Sequence, residues 1–470
     1  MTSEEEDEAL QYKYELSRIY KIWFETDKNL SLLNYFRDKI FWFPYHFDFR
    51  SRIHPISSHL NHMEYPDLIR STLCFAQGKK LGKEGLNWIK LQIASLTGMR
   101  KLSSIEDRLK FVDEMMDEIF DSAKNPLDGN KWWTKSDKPW QTLAACKELV
   151  AAIESGCPED YISHLPIHQD GSCNVLQHFA ALGRDEEGAA YVNLSPSKTP
   201  RDIYSRIVEL VEAKRQEDAR NGIEIARQLE GLITRKALKQ SILIRIYGGT
   251  KTGACRSILR GVKELNSFTD ALRMEALEYL DENTYNIFTK EFESFLKIRD
   301  WLRKIAKGVS QRCFKGMEFE TPLGFPVIQP YTHERRPFSQ QEDVIAPFDL
   351  LSFPITREAS HMMLTSLHCQ EAGITFVEIH DCYWTHAATV SVMNKICREQ
   401  FVRLHSQPIL ENFAKSMIEK YSSHPNFEDV YTIFSTEDAT PASLQDLLNK
   451  IPQKGEFNLN EVLRSDFFFS

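Results

Sequence analysis

The chain has 470 residues, a formal net charge of −9 and 42% apolar residues. That length allows roughly two to four compact domains, and the apolar content is sufficient for real hydrophobic cores. The negative charge excludes a protein that coats nucleic acid nonspecifically, although it is compatible with an enzyme that carries a local basic channel.

The cysteines, the apolar runs and the N-terminus bear on where the protein is located. The nine cysteines form no Cys-x-x-Cys pair, which indicates reduced thiols in a non-secretory compartment. No apolar run reaches the roughly 18–20 residues of a membrane span, so we expect no membrane partner. The acidic N-terminus is neither a secretory signal nor an Arg-rich transit peptide, so we expect no targeting segment in this chain.

The first part of the chain predicts helices around one aromatic segment. Residues 1–40 predict a helix, and residues 41–55 predict an extended segment because they are rich in aromatic side chains. On a strand, Arg50 and Arg52 would face the same way and could contact phosphates. An exposed arginine pair on a strand edge is an equally good interpretation.

A carboxylate follows the next predicted strand. An apolar alternation that ends at Ile167 leads into Asp170-Gly171-Ser172, and residues 175–182 predict a helix. A strand, a carboxylate at its end and a helix are a common active-site layout. An Asp-Gly pair taken alone is more often a simple turn.

A basic helix is predicted from Arg235 to Gly249. Arg235 and Lys239 are four residues apart and therefore lie on one helical face, while Gly248 and Gly249 end the helix. No acidic residue interrupts the basic residues of this region, which are Arg235, Lys236, Lys239, Arg245, Lys251, Arg256, Arg260 and Lys263. Fixed cations of this kind bind a triphosphate, although spacing alone also suits a solvated basic face.

A second carboxylate follows a strong strand signal. Residues 374–379 predict a strand, which runs into His380-Asp381 and a second strand. Asp170 and Asp381 could together hold two divalent metal ions, because phosphoryl transfer by two metals needs shared oxygen ligands. The basic helix would then neutralise the triphosphate.

Three segments resemble motifs A, B and C of the bacteriophage-type single-subunit RNA polymerases, and they occur in the family's order. They are Asp170-Gly171-Ser172-Cys173-Asn174, the Arg235, Lys239 and Tyr247-Gly248 set, and His380-Asp381-Cys382. Longer stretches are similar to the animal mitochondrial branch of that family. The resemblance covers about residues 40–470.

The resemblance implies an α+β, mostly helical chain with a right-hand polymerase fold, in which the thumb and the N-terminal region are largely absent. Residues 1–39 would be the end of the thumb, residues 40–186 and 361–470 the two parts of the palm, and residues 187–360 the fingers.

The resemblance also implies roles for individual residues. Asp170, Gly171 and Asp381 would bind two magnesium ions, Gly171 through its backbone carbonyl. The catalytic residues would be Asp170, Lys239 and Asp381. The substrate-binding residues would be Arg52, Arg235, Lys239, Tyr247 and His361, of which Arg235 and Lys239 hold the triphosphate. Tyr247 would stack near the incoming base and select ribose together with His361, and Arg52 would contact substrate or the template–primer.

The implied function is DNA-templated RNA synthesis from nucleoside triphosphates in mitochondria. The implied partners are a DNA template, nascent RNA, and mitochondrial initiation and elongation factors. Gly171-Ser172-Cys173 lacks the bulk that would block a 2′-hydroxyl, which favours RNA over DNA synthesis.

Two segments depart from the family pattern. Ser51 stands where glycine is usual, and residues 332–360, which include FPITREAS, read unlike the family. Because the resemblance implies that most of the thumb is absent, and because residues 332–360 are altered, the alternative hypothesis is a catalytically impaired fragment that acts only as a nucleic-acid-binding or regulatory remnant. A DNA-synthesising polymerase is a third, distinguished by a preference for dNTPs.

Overall fold

The computed structural model describes residues 3–57, 60, 62–63, 67–247, 249–313, 317–328, 352–429, 431–432 and 441–470. The helices in chain order are α1 Ser3–Phe36, α2 Asp67–Thr72, α3 Gly82–Thr97, α4 Ile105–Glu114, α5 Met116–Lys124, α6 Pro139–Glu154, α7 Asn174–Gly183, α8 Glu186–Tyr191, α9 Ile203–Arg220, α10 Glu224–Gln228, α11 Arg235–Ile246, α12 Lys251–Gly261, α13 Asp270–Glu291, α14 Glu293–Cys313, α15 Ser352–Glu371, α16 Val390–His405, α17 Ile409–Tyr421 and α18 Leu444–Asn449. The predicted α+β, mostly helical class is confirmed.

The strands are short and form small sheets. They are β1 Tyr45–Phe47, β2 Ile53–Pro55, β3 Lys79–Lys80, β4 Ile162–Ser163, β5 Pro166–Asp170, β6 Glu318–Glu320, β7 Pro326–Ile328, β8 Val377–Ile379, β9 Cys382–His386, β10 Tyr431–Thr432 and β11 Pro441–Ala442. One sheet has three strands in the order β5-β9-β8, and the other four sheets are two-stranded. The three-stranded sheet positions the candidate site, because β5 ends at Asp170 and the β8–β9 turn contains Asp381.

The chain divides into two compact units. The first comprises residues 1–47, 53–168 and 384–391, and the second comprises residues 48–52, 169–383 and 392–470. The predicted thumb, palm and fingers borders differ from these and stay predictions. Within the described ranges, no helix is both long and apolar enough to span a membrane.

The first unit is built around α3, which packs against α4 and α6. Ile89 and Ile93 on α3 and Leu149 on α6 are fully buried, so burial of these apolar faces holds the helices together. Trp132 and Trp133 are buried and Trp133 lies 5.1 Å from Trp140 between ring centroids. Packing is therefore the role of this tryptophan cluster.

In the second unit, threonine caps set where three successive helices begin. Thr234 precedes α11, Thr250 precedes α12 and Thr269 precedes α13, and each side chain accepts a hydrogen bond from a backbone amide in the first turn. Such caps satisfy amides that a helix start leaves unpaired. They explain why the basic region folds as two helices, α11 and α12, that pack on each other.

Two helix predictions were wrong in their bounds. The amphipathic pattern of residues 201–233 predicts one helix, but the segment is broken into α9 and α10 because Gly222 adopts a φ of 90°, which favours glycine. The sequence also predicts one helix from about residue 388 to 421, where the structure has two, α16 and α17. The predicted helix end at Gly248 and residues 332–351 of the divergent segment lie outside the described residues.

The prediction that Arg50 and Arg52 alternate on a strand was also wrong. Both lie in the turn after β1, where Ser51 has a φ of 66°. The Asp48 carboxylate accepts hydrogen bonds from the Arg50 and Arg52 amides, each at 2.9 Å. An aspartate that binds its own turn competes with strand pairing, and the positive φ explains why glycine suits position 51.

Candidate active site

The backbone brings the two predicted carboxylates together. The Gly171 amide donates a hydrogen bond of 2.9 Å to the Asp381 carbonyl oxygen, which joins the end of β5 to the β8–β9 turn. The Ser470 amide donates to the Asp170 carbonyl oxygen at 3.1 Å, and Gly171 forms an isolated bridge with Phe469. The last residues of the chain therefore brace the first carboxylate from the other side.

The Asp381 side chain lies at the tip of a tight turn. His380 has a φ of 57°, so the chain reverses immediately before Asp381. Water reaches this side chain, yet protein surrounds it on enough sides that burial is the main cause raising its pKa to about 7. The charges of Glu358 and Asp170 raise that pKa further, and Arg52 opposes them. Asp381 thus occupies a solvent-accessible recess close to another carboxylate.

The donor atoms in this recess suit a hard divalent cation. Asp170 and Asp381 offer carboxylate oxygens and Gly171 a backbone carbonyl, and Mg²⁺ binds through one or two carboxylates together with water and phosphate oxygens. Within the described part of the chain, no group of three or more His, Cys, Asp or Glu side chains is arranged to hold a metal. Because its donors are carboxylate and carbonyl oxygens, the set fits a hard cation such as Mg²⁺, and the metal-binding roles stay predictions.

Arg52 joins this recess through a buried ion pair. Its Nη2 lies 2.8 Å from Oε2 and 3.0 Å from Oε1 of Glu358, and the two side chains are only 18% and 3% exposed. Burial works against the charged guanidinium, but the carboxylate of Glu358 outweighs it and raises the pKa of Arg52. Tyr247 and Asp381 also act on that pKa, so Arg52 lies within electrostatic reach of both.

Tyr247 directly follows α11 and lies within electrostatic reach of Arg52 and Asp381. Its backbone amide donates to Leu243 at 2.9 Å. Burial raises the pKa of the Tyr247 phenol, and the charges of Glu358 and Asp381 add to the effect while Arg52 opposes it. The structure thus brings Tyr247 together with Arg52 and Asp381, whereas its predicted stacking on a base stays a prediction.

Arg235 and Lys239 lie on one face of α11, as the spacing predicts. The Arg235 side chain forms a two-point ion pair with Asp202, with Nε to Oδ2 at 2.6 Å and Nη2 to Oδ1 at 3.0 Å. The Tyr204 ring centroid lies 5.5 Å from the Arg235 guanidinium carbon and 5.2 Å from Lys239 Nζ. The two cations therefore share one aromatic neighbour, and the Arg235 side chain is 42% exposed.

Two other basic residues of this region, Arg245 and Lys251, form ion pairs with a neighbouring helix. Arg245 pairs with Asp281, whose side chain is 1% exposed, and Lys251 pairs with Glu282 at 2.9 Å. Both partners lie on α13, so these cations attach neighbouring helices to each other. A run without acidic residues in sequence is therefore not a run without acidic partners in space.

The Gly171-Ser172-Cys173 segment is held tightly. A Cβ at Gly171 would lie 3.3 Å from both Gln177 Oε1 and the Phe469 ring. Ser172 Oγ donates to the Phe467 carbonyl at 3.0 Å, and Tyr204 Oη donates to Cys173 Sγ at 3.4 Å. A side chain at position 171 would therefore crowd these two neighbours, and the small side chains of Ser172 and Cys173 are engaged within the protein. Selection of ribose by this segment stays a prediction.

His361 is fully buried rather than open to the recess. Its Nε2 lies 2.9 Å from the Cys397 carbonyl and its Nδ1 lies 3.4 Å from Tyr383 Oη. Burial lowers its pKa to about 4, so the ring is neutral near pH 7. The ring packs among aromatic side chains, including Phe468. Its contact with a ribose stays a prediction.

Sequence reasoning missed two acidic residues of the site, Glu358 and Asp202. Glu358 lies in the divergent FPITREAS stretch, where it gave no sign of pairing with Arg52, 306 positions away. Asp202 had a detectable signal, because aspartate is a preferred N-cap residue and Asp202 precedes the amphipathic segment and caps α9. The pattern predicts the cap but not the pairing with Arg235.

Nucleotidyl transfer requires carboxylates that can hold metal ions and cationic side chains that can bind phosphates. Asp170 and Asp381 at the strand ends, and Arg235 and Lys239 on α11, are groups of these two kinds. A family model described as DNA-dependent RNA polymerase matches residues 79–346 and 356–470. The chain belongs to this family.

The chain is similar to mitochondrial DNA-directed RNA polymerases. It is 44% identical over 459 residues to that of Mus musculus, with 94% of this chain and 38% of the relative covered. It is 42% identical over 463 residues to that of Homo sapiens, covering 94% and 36%. The relative from Schizosaccharomyces pombe is 37% identical over 479 residues, covering 94% and 41%. The chain thus spans less than half of the length of these relatives.

Proposed function

We propose that this chain is the catalytic part of a mitochondrial DNA-directed RNA polymerase that extends RNA on a DNA template from nucleoside triphosphates. The observation that carries the proposal is the convergence of the two strand-end carboxylates, because Gly171 donates to Asp381 across the sheet and Asp170 raises the pKa of Asp381. Membership of the polymerase family and the similarity to mitochondrial relatives support the same function.

Asp170, Asp381 and the Gly171 carbonyl would hold two Mg²⁺ ions. When bound, these ions supply Lewis-acid activation of the attacking RNA hydroxyl and neutralise the leaving pyrophosphate. The protein's own contribution is to keep the two carboxylates at a separation set by neighbouring strands. Ligands placed by backbone hydrogen bonds need little rearrangement when a substrate arrives.

Lys239 and Arg235 would bind the triphosphate on the face of α11. Their charges offset the negative charge that develops on the phosphates, which is why Lys239 counts as catalytic as well as substrate-binding. Tyr247 and Arg52 would bound the nucleotide on the side of Asp381, because both lie within electrostatic reach of that carboxylate. Buried His361 would act on the site indirectly, through its contact with Tyr383, which follows Asp381 by two positions.

The proposed partners follow from this function. They are a DNA template, nascent RNA, nucleoside triphosphates, and mitochondrial initiation and elongation factors, and the proposed location is the mitochondrion. Because the matched relatives are more than twice as long as the aligned segment, factor binding is proposed for the whole polymerase.

The test is extension of a labelled RNA primer annealed to a DNA template, with Mg²⁺ and each of the two nucleotide sets, NTPs and dNTPs. We expect extension with NTPs, and loss of at least about a hundredfold in Asp381→Asn, since removal of a metal ligand removes the activation that the ion supplies. Asp128→Asn, which changes an exposed aspartate in the first unit, is the matched control and should retain activity.

Three outcomes would contradict the proposal in different ways. A folded chain that binds the primed template without extending it, equally well with and without Asp381→Asn, supports the nucleic-acid-binding remnant instead. Preferred use of dNTPs supports a DNA-synthesising enzyme. Equal loss of activity in Asp381→Asn and Asp128→Asn would show that the carboxylate is not special.

A further inference from the structure

The Arg235 guanidinium is held along one edge. Its Nε and Nη2 both point at the Asp202 carboxylate, so the Nη1 side of the planar group remains for another acceptor. A guanidinium presents five N–H donors in a rigid fork. Fixing two of them therefore also fixes the direction of the others.

Asp202 is itself fixed before it binds Arg235. Its Oδ2 accepts hydrogen bonds from the Ser205 amide at 3.0 Å and from Ser205 Oγ at 2.6 Å, which caps α9. The Asp202 side chain is 10% exposed. The pairing raises the pKa of Arg235, so the guanidinium stays charged while it is held. The carboxylate is therefore a rigid part of the protein and not a surface group that happens to lie nearby.

Tyr204 connects both cations to the loop after Asp170. Its ring is 5% exposed and lies beside Arg235 and Lys239 at cation–π distances. Its hydroxyl donates to Cys173 Sγ. The aromatic face thus supports the two cations, while the hydroxyl end is attached to the segment that follows the first carboxylate.

We propose that Asp202 and Tyr204 are positioning residues that orient Arg235 and Lys239 toward the triphosphate chain of the incoming nucleotide. This inference rests on the proposed function, since it deepens the role of the same site. Side chains that are ordered before binding lose less conformational entropy when the ligand arrives. The contribution belongs to the β- and γ-phosphates, so it affects a nucleoside triphosphate and not a nucleoside monophosphate.

The first experiment measures equilibrium binding of a non-hydrolysable NTP, and separately of the matching NMP, to the full chain on a primed template. In Asp202→Ser the serine keeps the N-cap but removes the carboxylate. We expect NTP affinity to fall about tenfold, which corresponds to about 1.4 kcal/mol, and NMP affinity to stay within about twofold. Asp185→Ser is the matched control, because Asp185 caps α8 in the same way without contacting Arg235.

The second experiment separates the ring of Tyr204 from its hydroxyl. Tyr204→Phe keeps the aromatic face and should retain NTP affinity within about threefold, whereas Tyr204→Leu removes the cation–π contacts and should weaken it more. Steady-state extension by Asp202→Ser should show a raised KM for NTP with a smaller change in kcat, as expected for lost binding.

Several results would overturn the inference. Tighter NTP binding by Asp202→Ser would make Asp202 a competitor of the triphosphate instead of its organiser. Equal losses for NTP and NMP, or the same loss in Asp185→Ser, would indicate a general structural effect. If the unmodified chain extends RNA but Asp202→Ser binds NTP normally, only the inference fails. If the unmodified chain binds NTP but does not extend RNA, only the proposed function fails. If the unmodified chain does not bind NTP, both the proposed function and the inference are refuted.

Discussion

Neutralising Glu358 provides a demanding test of the site's electrostatics. The Glu358→Gln variant keeps the shape of the side chain and removes its charge. In the native chain the carboxylate is 3% exposed and contacts Nη2 of Arg52 through both oxygens. The substitution therefore leaves a mostly buried guanidinium with a single neutral acceptor.

The expected loss follows from this burial. Breaking a buried ion pair by removing one partner costs about 3–5 kcal/mol. The glutamine carbonyl still accepts one hydrogen bond from the guanidinium, and a hydrogen bond to a charged group is worth roughly 1.5–3 kcal/mol. We therefore expect Glu358→Gln to reduce the free energy of unfolding by about 2 kcal/mol, the difference between these two contributions.

The assay is urea unfolding at low ionic strength, monitored by circular dichroism. The dependence of the unfolding free energy on urea concentration is compared between variants, because an unchanged slope shows that only stability has changed. Glu282→Gln is the matched control, because it breaks an exposed ion pair. The side chains of Lys251 and Glu282 are 44% and 62% exposed. Exposed pairs contribute about 0–1 kcal/mol. A loss in Glu358→Gln no larger than that in Glu282→Gln would refute the reasoning.

Three further predictions concern pH, a turn and the core. His178 and His405 are hydrogen-bonded at 2.8 Å, and burial lowers the pKa of each well below 6.5. Because the folded state then binds fewer protons than the unfolded state, stability should fall as pH drops below 6.5, by up to about 1.4 kcal/mol per unit per histidine. Denaturation curves at pH 7.5 and 5.5 would show it, and a flat profile would contradict it; His405→Asn should have a shallower slope. Ser51→Gly should raise thermal stability by up to about 1 kcal/mol, because it relieves a positive φ; a clear loss of stability would count against this. Phe468→Ala removes a fully buried ring and should cost about 3–5 kcal/mol in the same denaturation assay, and a loss below about 1 kcal/mol would show that the site can collapse.

The two carboxylates were predictable because their signals are local. Asp170 and Asp381 each follow an apolar strand pattern, and strand ends are where the chain turns. The spacing of Arg235 and Lys239 is likewise a property of one helix. These features depend on periodicity and turn chemistry, which a short window of sequence contains.

The acidic partners were not predictable because they depend on tertiary placement. Asp202 lies 33 positions from Arg235, and Glu358 lies 306 positions from Arg52. The turn at Asp48 likewise replaced the expected strand, because one carboxylate accepts two backbone amides. Side-chain hydrogen bonds of this kind override an alternation pattern.

The backbone hydrogen bond from the Gly171 amide to the Asp381 carbonyl oxygen allows the state of the site to be followed without substrate. Its amide proton is engaged only while the two loops stay joined, so its exchange with deuterium reports how often they separate. Slower exchange of the Gly171 amide on adding Mg²⁺ would indicate that the ion binds and holds the two segments together. Unchanged exchange would indicate that Mg²⁺ does not change how often they separate. Exchange at this one backbone amide therefore reports whether the two carboxylate-bearing segments are joined, without a measurement of turnover.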